Sequence, residues 1–177
     1  MRGVESARAK IILYKCAIYS VALFILAVLQ VTFFTKINVL GATPDLLLAA
    51  IATLALHEDG RVASICGIIS GLFYCALGGF SVPFYIIFSF LSAYALYIVA
   101  ENGTSKRHIS FVLLAILAFG AKAIFNLADV SFSAESFSII KATTNIIIPE
   151  FISSIIFSPI AYLMLFCTTR IFNKTSK

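Results

Sequence analysis

Charged residues are scarce in this sequence: they make up 12% of its 177 residues, whereas hydrophobic residues make up 61%. A water-soluble domain of this length carries roughly twice that charged fraction, because its surface must be hydrated. The apolar residues also stand in long blocks, without the spacing of a single amphipathic core. The composition therefore excludes a water-soluble globular domain and predicts an all-α polytopic membrane protein.

The sequence lacks the basic surface of a nucleic-acid-binding protein, although its net charge is +5. Lys and Arg stand at the ends of apolar blocks and in the N-terminal tail, with no basic stripe interleaved with aromatic residues. The four cysteines, Cys16, Cys66, Cys75 and Cys167, lie inside apolar blocks and have no Cys-x-x-Cys spacing. We interpret them as apolar packing residues and expect neither a disulfide framework nor a metal site.

Recognisable catalytic motifs are missing as well. His57-Glu58 begins like a zinc-protease motif, but Arg61 stands where the second histidine is required, and the only other histidine is His108. The sequence shows no phosphate-binding glycine loop, Ser/His/Asp set or pair of catalytic carboxylates. We therefore predict a non-enzymatic protein without a cofactor, with an unfamiliar membrane enzyme acting on lipid as an alternative.

Six apolar blocks are predicted to be helices that cross a bilayer. The first block is interpreted as a retained helix because no signal-peptide cleavage pattern follows it. The fifth connection, Asp129 to Lys141, is serine-rich with interspersed Phe and Ile, which favours a position along the membrane interface. A single domain is predicted, with helices at about 11–34, 44–57, 62–80, 82–100, 109–128 and 144–170.

The distribution of Lys and Arg predicts the orientation. With a cytoplasmic N-terminus, ten of the thirteen basic residues fall on the cytoplasmic side, Lys36 and Lys141 fall outside, and Lys122 lies within the fifth block. An even number of helices then places both termini in the cytoplasm. The second block is the weakest span, because its helix covers only ~21 Å of a ~30 Å hydrocarbon core.

Two groups of residues stand out as candidate sites. The first is a strip of small residues in the third block, where another helix backbone can approach closely because the residues are one turn apart. The strip consists of Ala63, Gly67, Gly71 and Cys75. Packing within the chain and contact with a partner helix are both open for it.

The second group consists of ionisable residues inside apolar blocks, where charge is costly. Lys122 and Glu150 lie at matching depths, roughly 9 Å and 7.5 Å from the outer ends of their blocks, and Asp45 opens the second block on the same side. We predict that these three residues form a buried polar cluster in the outer half of the bundle. The cluster either fixes helix register or carries a function, and snorkelling of Lys122 is a further alternative.

Local signals near the helix ends lead to further expectations. Thr43 is predicted to cap the second helix, with Pro44 at its first helical position. Gln30, at the end of the first block, is expected to hydrogen-bond a neighbouring helix. Pro149 falls in the first turn of the sixth block and is tolerated there, whereas Pro159 should kink the interior of that helix.

Several short motifs follow one another along nearly the whole chain. They are Leu29-Gln30, Leu40-Gly41-x-x-Pro44-Asp45-Leu46-Leu47-Leu48, Gly67-x-x-x-Gly71-Leu72-Phe73, Gly78-Gly79 and Ile148-Pro149-Glu150, with a basic tail after the last. In this order and spacing they resemble the rod shape-determining protein MreD family, with Gln30, Pro44 and Asp45 as motif residues. Family members commonly carry an aspartate four residues after the second glycine, where this sequence has Cys75.

The resemblance implies a non-enzymatic, multi-pass subunit of the bacterial inner (cytoplasmic) membrane in the cell-elongation machinery. Proteins of that family bind the membrane-anchored MreC and help connect cytoplasmic MreB filaments to the wall synthases RodA and penicillin-binding protein 2. The partners implied are therefore these proteins and membrane lipid, and not nucleic acid. The oligomeric state is open, and a homodimer is one alternative.

The family's fold is similar to the S component of energy-coupling-factor transporters, so an S-component-like bundle is expected. This similarity supplies the alternative function, a vitamin-binding S component with Lys122 and Glu150 as ligand contacts. S components usually carry an Ala-x-x-x-Ala docking motif on the first helix. In this chain Ala17, Ala22 and Ala27 are five residues apart, so that motif is missing.

Overall fold

The structure, a computed structural model, describes residues 2–34, 36, 42–78, 83–103, 108–133 and 143–175. All regular structure in these residues is helical, which confirms the predicted all-α class. The helices are α1 (Arg2–Leu29), extended by a π-helical turn (Gln30–Phe34), α2 (Leu46–His57), α3 (Gly60–Gly78), α4 (Pro83–Gly103), α5 (His108–Ser133) and α6 (Ile148–Thr175), the last preceded by a second π-helical turn (Thr143–Ile147).

Five of the described helices, all except α2, are long and apolar enough to cross a membrane. Their outer faces carry exposed large apolar side chains such as Leu13, Ile109 and Ile124. Such faces are stable against lipid and unstable against water. The predicted multi-pass membrane character is therefore confirmed.

Helix α2 forms the core of the bundle. It has only 12 residues, and every residue from Leu46 to Leu56 is at most 4% exposed. A helix that is apolar on all sides is stable only when other elements surround it. The other five helices form a ring in which each packs on its neighbours, and all five contact α2. The short second block is thus a central helix that lipid does not reach.

The helices alternate in direction along the chain. Gln30, at the end of α1, meets the start of α2, whereas Lys15 contacts Glu58 just after the end of α2. Helix α2 therefore runs back along α1 and returns the chain to the end of the bundle from which α1 started.

The remaining helices continue this alternation. A side chain at Gly60 would meet Tyr97, and one at Gly71 would meet Ile86, so α3 and α4 are antiparallel. In α5 and α6, Lys122 pairs with Glu150 and Phe111 packs on Tyr162, so these helices are antiparallel too. Phe166 of α6 packs on His57 at the end of α2, the end that Lys15 of α1 also contacts. The N-terminal end of α1 and the C-terminal end of α6 therefore lie at the same end of the bundle.

The start of α2 differs from the prediction. The helix begins at Leu46, and its N-cap is Asp45, whose carboxylate accepts a hydrogen bond from Leu48 N at 3.0 Å. The prediction of Thr43 as cap and Pro44 as first helical residue is therefore wrong. A carboxylate three residues before a backbone N–H is a strong cap.

The end of α5 also differs from the prediction, which ended that helix near residue 128. The helix continues to Ser133, because residues 129–133 contain neither Gly nor Pro to stop it. The first five residues of the predicted interfacial segment are therefore helical. Its remainder, together with Gly79, Lys106, Arg107 and Lys141, lies outside the described residues.

The two prolines of α6 are accommodated in different ways. Pro149 is the second residue of α6, which follows the π-helical turn Thr143–Ile147, so it lies in the first turn of that α-helix as predicted. Pro159 lies inside α6 and cannot donate to the carbonyl of Ile155, four residues before it. Ser158 Oγ donates a hydrogen bond to that carbonyl at 2.9 Å, which replaces the missing one.

Candidate functional site: a polar cluster at the start of the central helix

Lys122 lies at the centre of the polar cluster. This residue of α5 is only 4% exposed, and its Nζ lies 2.5 Å from Asp45 Oδ2 and 2.6 Å from Glu150 Oε1. The structure therefore brings together the three residues that the sequence placed in one cluster. The Lys122 head group points at two carboxylates inside the bundle, so this side chain does not snorkel outward.

Asp45 joins four helices through one residue. Its carboxylate caps α2 and also accepts hydrogen bonds from Lys122 on α5 and from the Tyr85 hydroxyl on α4, the latter at 2.7 Å. Its backbone N–H donates to Ser154 Oγ on α6 at 2.9 Å. The side chain is fully buried, and these contacts replace the water that an exposed carboxylate would bind.

Glu150 forms the outer side of the cluster. Its side chain is 19% exposed, and Oε2 accepts a hydrogen bond from Asn126 Nδ2 at 3.2 Å. Lys122 Nζ also lies 5.2 Å and 5.6 Å from the ring centres of Tyr74 and Tyr85, which stack on each other. Carboxylates and aromatic faces thus surround the ammonium, and both kinds of group stabilise a buried cation.

Gln30 completes the start of α2. Its Oε1 accepts hydrogen bonds from Leu46 N at 3.0 Å and Leu47 N at 3.3 Å, as expected for a residue bonding a neighbouring helix. Together with the cap by Asp45, side chains satisfy the first three N–H groups of the helix. A buried helix end needs such partners, because water cannot supply them.

The space beside the cluster is small. A cavity of about 10 Å³ borders Lys122, Asn126, Glu150 and Ser154. That volume corresponds to about one water molecule. The cluster therefore consists of groups that bind one another, with no room for a larger ligand between them.

A second polar cluster, which the sequence did not predict, lies at the other end of α2. Glu58 accepts hydrogen bonds from Lys15 Nζ and from the Tyr19 hydroxyl, each at 2.6 Å, and its backbone N–H donates to Leu54 O. His57 packs against the ring of Phe166 at 5.6 Å between ring centres. His57 and Glu58 therefore make packing and hydrogen-bond contacts at the end of the central helix.

The small-residue strip packs on α4 of the same chain. A Cβ added to Gly67 would lie 2.8 Å from Ser89 O, and one added to Gly71 would lie 2.7 Å from Ile86 Cα. Ala63 is buried as well, while Cys75 is half-buried. Of the two alternatives for the strip, the structure shows helix packing within the chain, and α4 occupies the place of a partner helix.

Four further members of the cluster were not predicted, because polar residues of these types are common in membrane helices. They are Tyr74, Tyr85, Asn126 and Ser154. Within the described part of the chain, His, Cys, Asp and Glu side chains form no group of three that could hold a metal ion. Comparison with protein-family models, with curated proteins and with solved structures finds no match to this chain.

Proposed function

We propose that the chain is a non-enzymatic scaffold subunit of the bacterial cell-elongation (rod) complex, which binds MreC and helps to organise peptidoglycan synthesis and cell shape. The observation that carries the proposal is the internal pairing of the polar cluster. Lys122, Asp45 and Glu150 bind one another and leave about 10 Å³ beside them. Charged groups used in this way hold helices together, as a scaffold requires.

The positions that carry the family resemblance support the same proposal. Gln30 and Asp45 hold the start of the central helix, Gly67 and Gly71 permit the close approach of α4, and Glu150 pairs with Lys122. The resemblance to the MreD family therefore rests on residues that build this bundle. The resemblance therefore concerns residues that determine how the helices pack. In this proposal, partner contacts lie on the outer faces of the helices and on the connections between them.

The transporter alternative finds less support. A vitamin-binding S component needs a cavity, and ligand pockets for small molecules measure roughly 300–1,000 Å³. The space beside Lys122 and Glu150 is far smaller. These two residues are also each other's partners, so a ligand would have to break a buried ion pair to reach them.

The proposed orientation places both termini in the cytoplasm of a bacterium. In support, the N-terminal end of α1 and the C-terminal end of α6 lie at the same end of the bundle. Seven basic residues of the described chain belong to that end, namely Arg2, Arg8, Lys10, Lys15, Arg61, Arg170 and Lys174. MreB filaments would meet this end, and the periplasmic part of MreC would meet the other, where the polar cluster lies.

The test is co-purification of the tagged full-length chain from its native membrane in mild detergent, followed by mass spectrometry of the retained proteins. We expect enrichment of MreC, RodA and penicillin-binding protein 2 over a tagged, unrelated polytopic protein of the same membrane. Recovery of an energy-coupling ATPase pair or a bound vitamin would replace the proposal with the transporter. A monodisperse chain that retains no rod-complex protein would contradict it.

A further inference from the structure

A groove of about 570 Å³ opens at the end of the bundle opposite the polar cluster. Its walls come from α1, from the junction of α2 with α3, and from α4. Its lining residues are Ile11, Ile12, Asp59, Gly60, Arg61, Tyr94 and Tyr97. The volume lies within the range of pockets that hold small organic ligands, roughly 300–1,000 Å³.

The groove lies at the level of lipid headgroups. Ile11 is near the start of the first membrane-spanning segment, Arg61 is at the start of the span in α3, and Tyr97 is close to the end of the span in α4. Tyrosine is enriched where a membrane meets water, because its ring is apolar and its hydroxyl is polar. A molecule in this groove therefore has its polar part at the surface and its apolar part against Ile11 and Ile12.

The groove presents one charge of each sign. Asp59 and Arg61 are both exposed, and neither forms an ion pair with another described residue. Two neighbouring exposed charges of opposite sign match a ligand that carries both a phosphate and an amine. A guanidinium binds phosphate through bidentate hydrogen bonds, and a carboxylate accepts hydrogen bonds from a primary ammonium.

We propose that this groove binds the headgroup of a zwitterionic aminophospholipid, with the phosphate on Arg61, the ammonium on Asp59 and an acyl chain along Ile11 and Ile12. Phosphatidylethanolamine has this chemistry. Phosphatidylcholine lacks the N–H donors for Asp59, and phosphatidylglycerol lacks the cation. The site lies apart from the polar cluster and does not depend on which proteins the chain binds.

The test measures which lipids stay with the full-length protein after reconstitution into vesicles of equal parts phosphatidylethanolamine, phosphatidylcholine and phosphatidylglycerol and gentle re-extraction. Native mass spectrometry counts the retained molecules. We expect about tenfold more phosphatidylethanolamine than phosphatidylcholine, which is the effect of about one charge-assisted hydrogen bond. Asp59→Asn should abolish this preference, and Arg61→Gln should lower the retention of both lipids.

The variants are chosen so that the fold is kept. Asp59 directly precedes α3, and its backbone carbonyl accepts a hydrogen bond from Ala63 N. Asp59→Asn keeps this backbone bond, and asparagine is as favourable as aspartate before a helix. Lys10→Gln is the matched control, because Lys10 is an exposed cation of the same end outside the groove. Equal retention of the two lipids by the wild type, a preference for phosphatidylglycerol, or the same loss in Lys10→Gln would overturn the proposal. The proposal would also be overturned if the wild type retained a protein segment in place of lipid and the Arg61→Gln variant did not retain that segment.

Discussion

Lys122 Nζ and Asp45 Oδ2 lie 2.5 Å apart, although 77 positions of the sequence separate the two residues. This pair ties α5 to the start of the central helix at a point where both side chains are buried. An ion pair of this kind is costly to break from one side, because the remaining charge has no water to hydrate it.

Lys122→Met should therefore destabilise the protein by about 3–5 kcal/mol, because it leaves the Asp45 and Glu150 carboxylates without their cation. The measurement is thermal unfolding of the purified protein in detergent. Lys10→Met removes the same charge from an exposed position and should have little effect. The double variant Lys122→Met with Asp45→Asn should be less destabilised than the two single effects summed. Equal melting temperatures for Lys122→Met and Lys10→Met would show that the ion pair does not stabilise the bundle.

The sequence sufficed to predict the helices and the cluster of Lys122 with Glu150. Lipid forces every membrane-spanning backbone to satisfy its own hydrogen bonds, so long apolar blocks become helices. Charge inside such blocks is costly, and two opposite charges at similar depth gain by pairing. These two physical rules need no knowledge of how the helices pack.

The rest of the site depends on packing that the sequence does not display. Gln30 bonds Leu46 across 16 positions, and Tyr85 reaches Asp45 across 40, because α2 lies inside a ring of helices. The length of the second block suggested a short span, but not that the helix was central. The pairing of Glu58 with Lys15 was missed because Lys15 was counted among the basic residues of the cytoplasmic side and Glu58 lies in the turn after the second block, where charges are ordinary.

Gln30→Leu should destabilise the start of the central helix, because the N–H groups of Leu46 and Leu47 lose their hydrogen-bond acceptor. We expect a loss of about 1–3 kcal/mol of stability, the cost of leaving a buried donor unsatisfied. Hydrogen exchange followed by mass spectrometry should show faster exchange at residues 46–48 than in the wild type. The control is Thr32→Val on the same π-helical turn, an exposed polar-to-apolar change whose hydroxyl bonds only within its own helix. Unchanged exchange at the start of α2 in Gln30→Leu would contradict the assigned role.

Gly67→Ala and Gly120→Ala should have opposite effects on stability. A Cβ at Gly67 would lie 2.8 Å from Ser89 O and 2.9 Å from Ala93 Cβ, so α3 and α4 must separate. We expect Gly67→Ala to destabilise by about 1–3 kcal/mol, as overpacking does. At Gly120 a Cβ would meet nothing within 4 Å, so alanine should be neutral or stabilise by about 0.5–1 kcal/mol through its better helix propensity.

A larger side chain at Gly67 separates the effect on folding from the effect on partner binding. Because the strip faces α4, Gly67→Leu should reduce the recovery of the proposed partner MreC only in proportion to the loss of folded protein. Size-exclusion chromatography of a fluorescent fusion gives the folded fraction, and the pull-down gives the partner. If the variant elutes with the same folded fraction as the wild type but does not retain MreC, the strip is a contact surface for that partner.

Ser158→Ala should destabilise α6 only while Pro159 is present. The Ser158 hydroxyl supplies the hydrogen bond that Pro159 cannot give to Ile155 O, so its removal leaves that carbonyl without a donor. We expect a cost of about 1 kcal/mol in the wild-type background. In a Pro159→Ala background the new backbone N–H can bond Ile155 O, and Ser158→Ala should then cost close to nothing. A double-mutant cycle on thermal unfolding measures this coupling, and equal costs in both backgrounds would mean that the serine stabilises α6 independently of the proline.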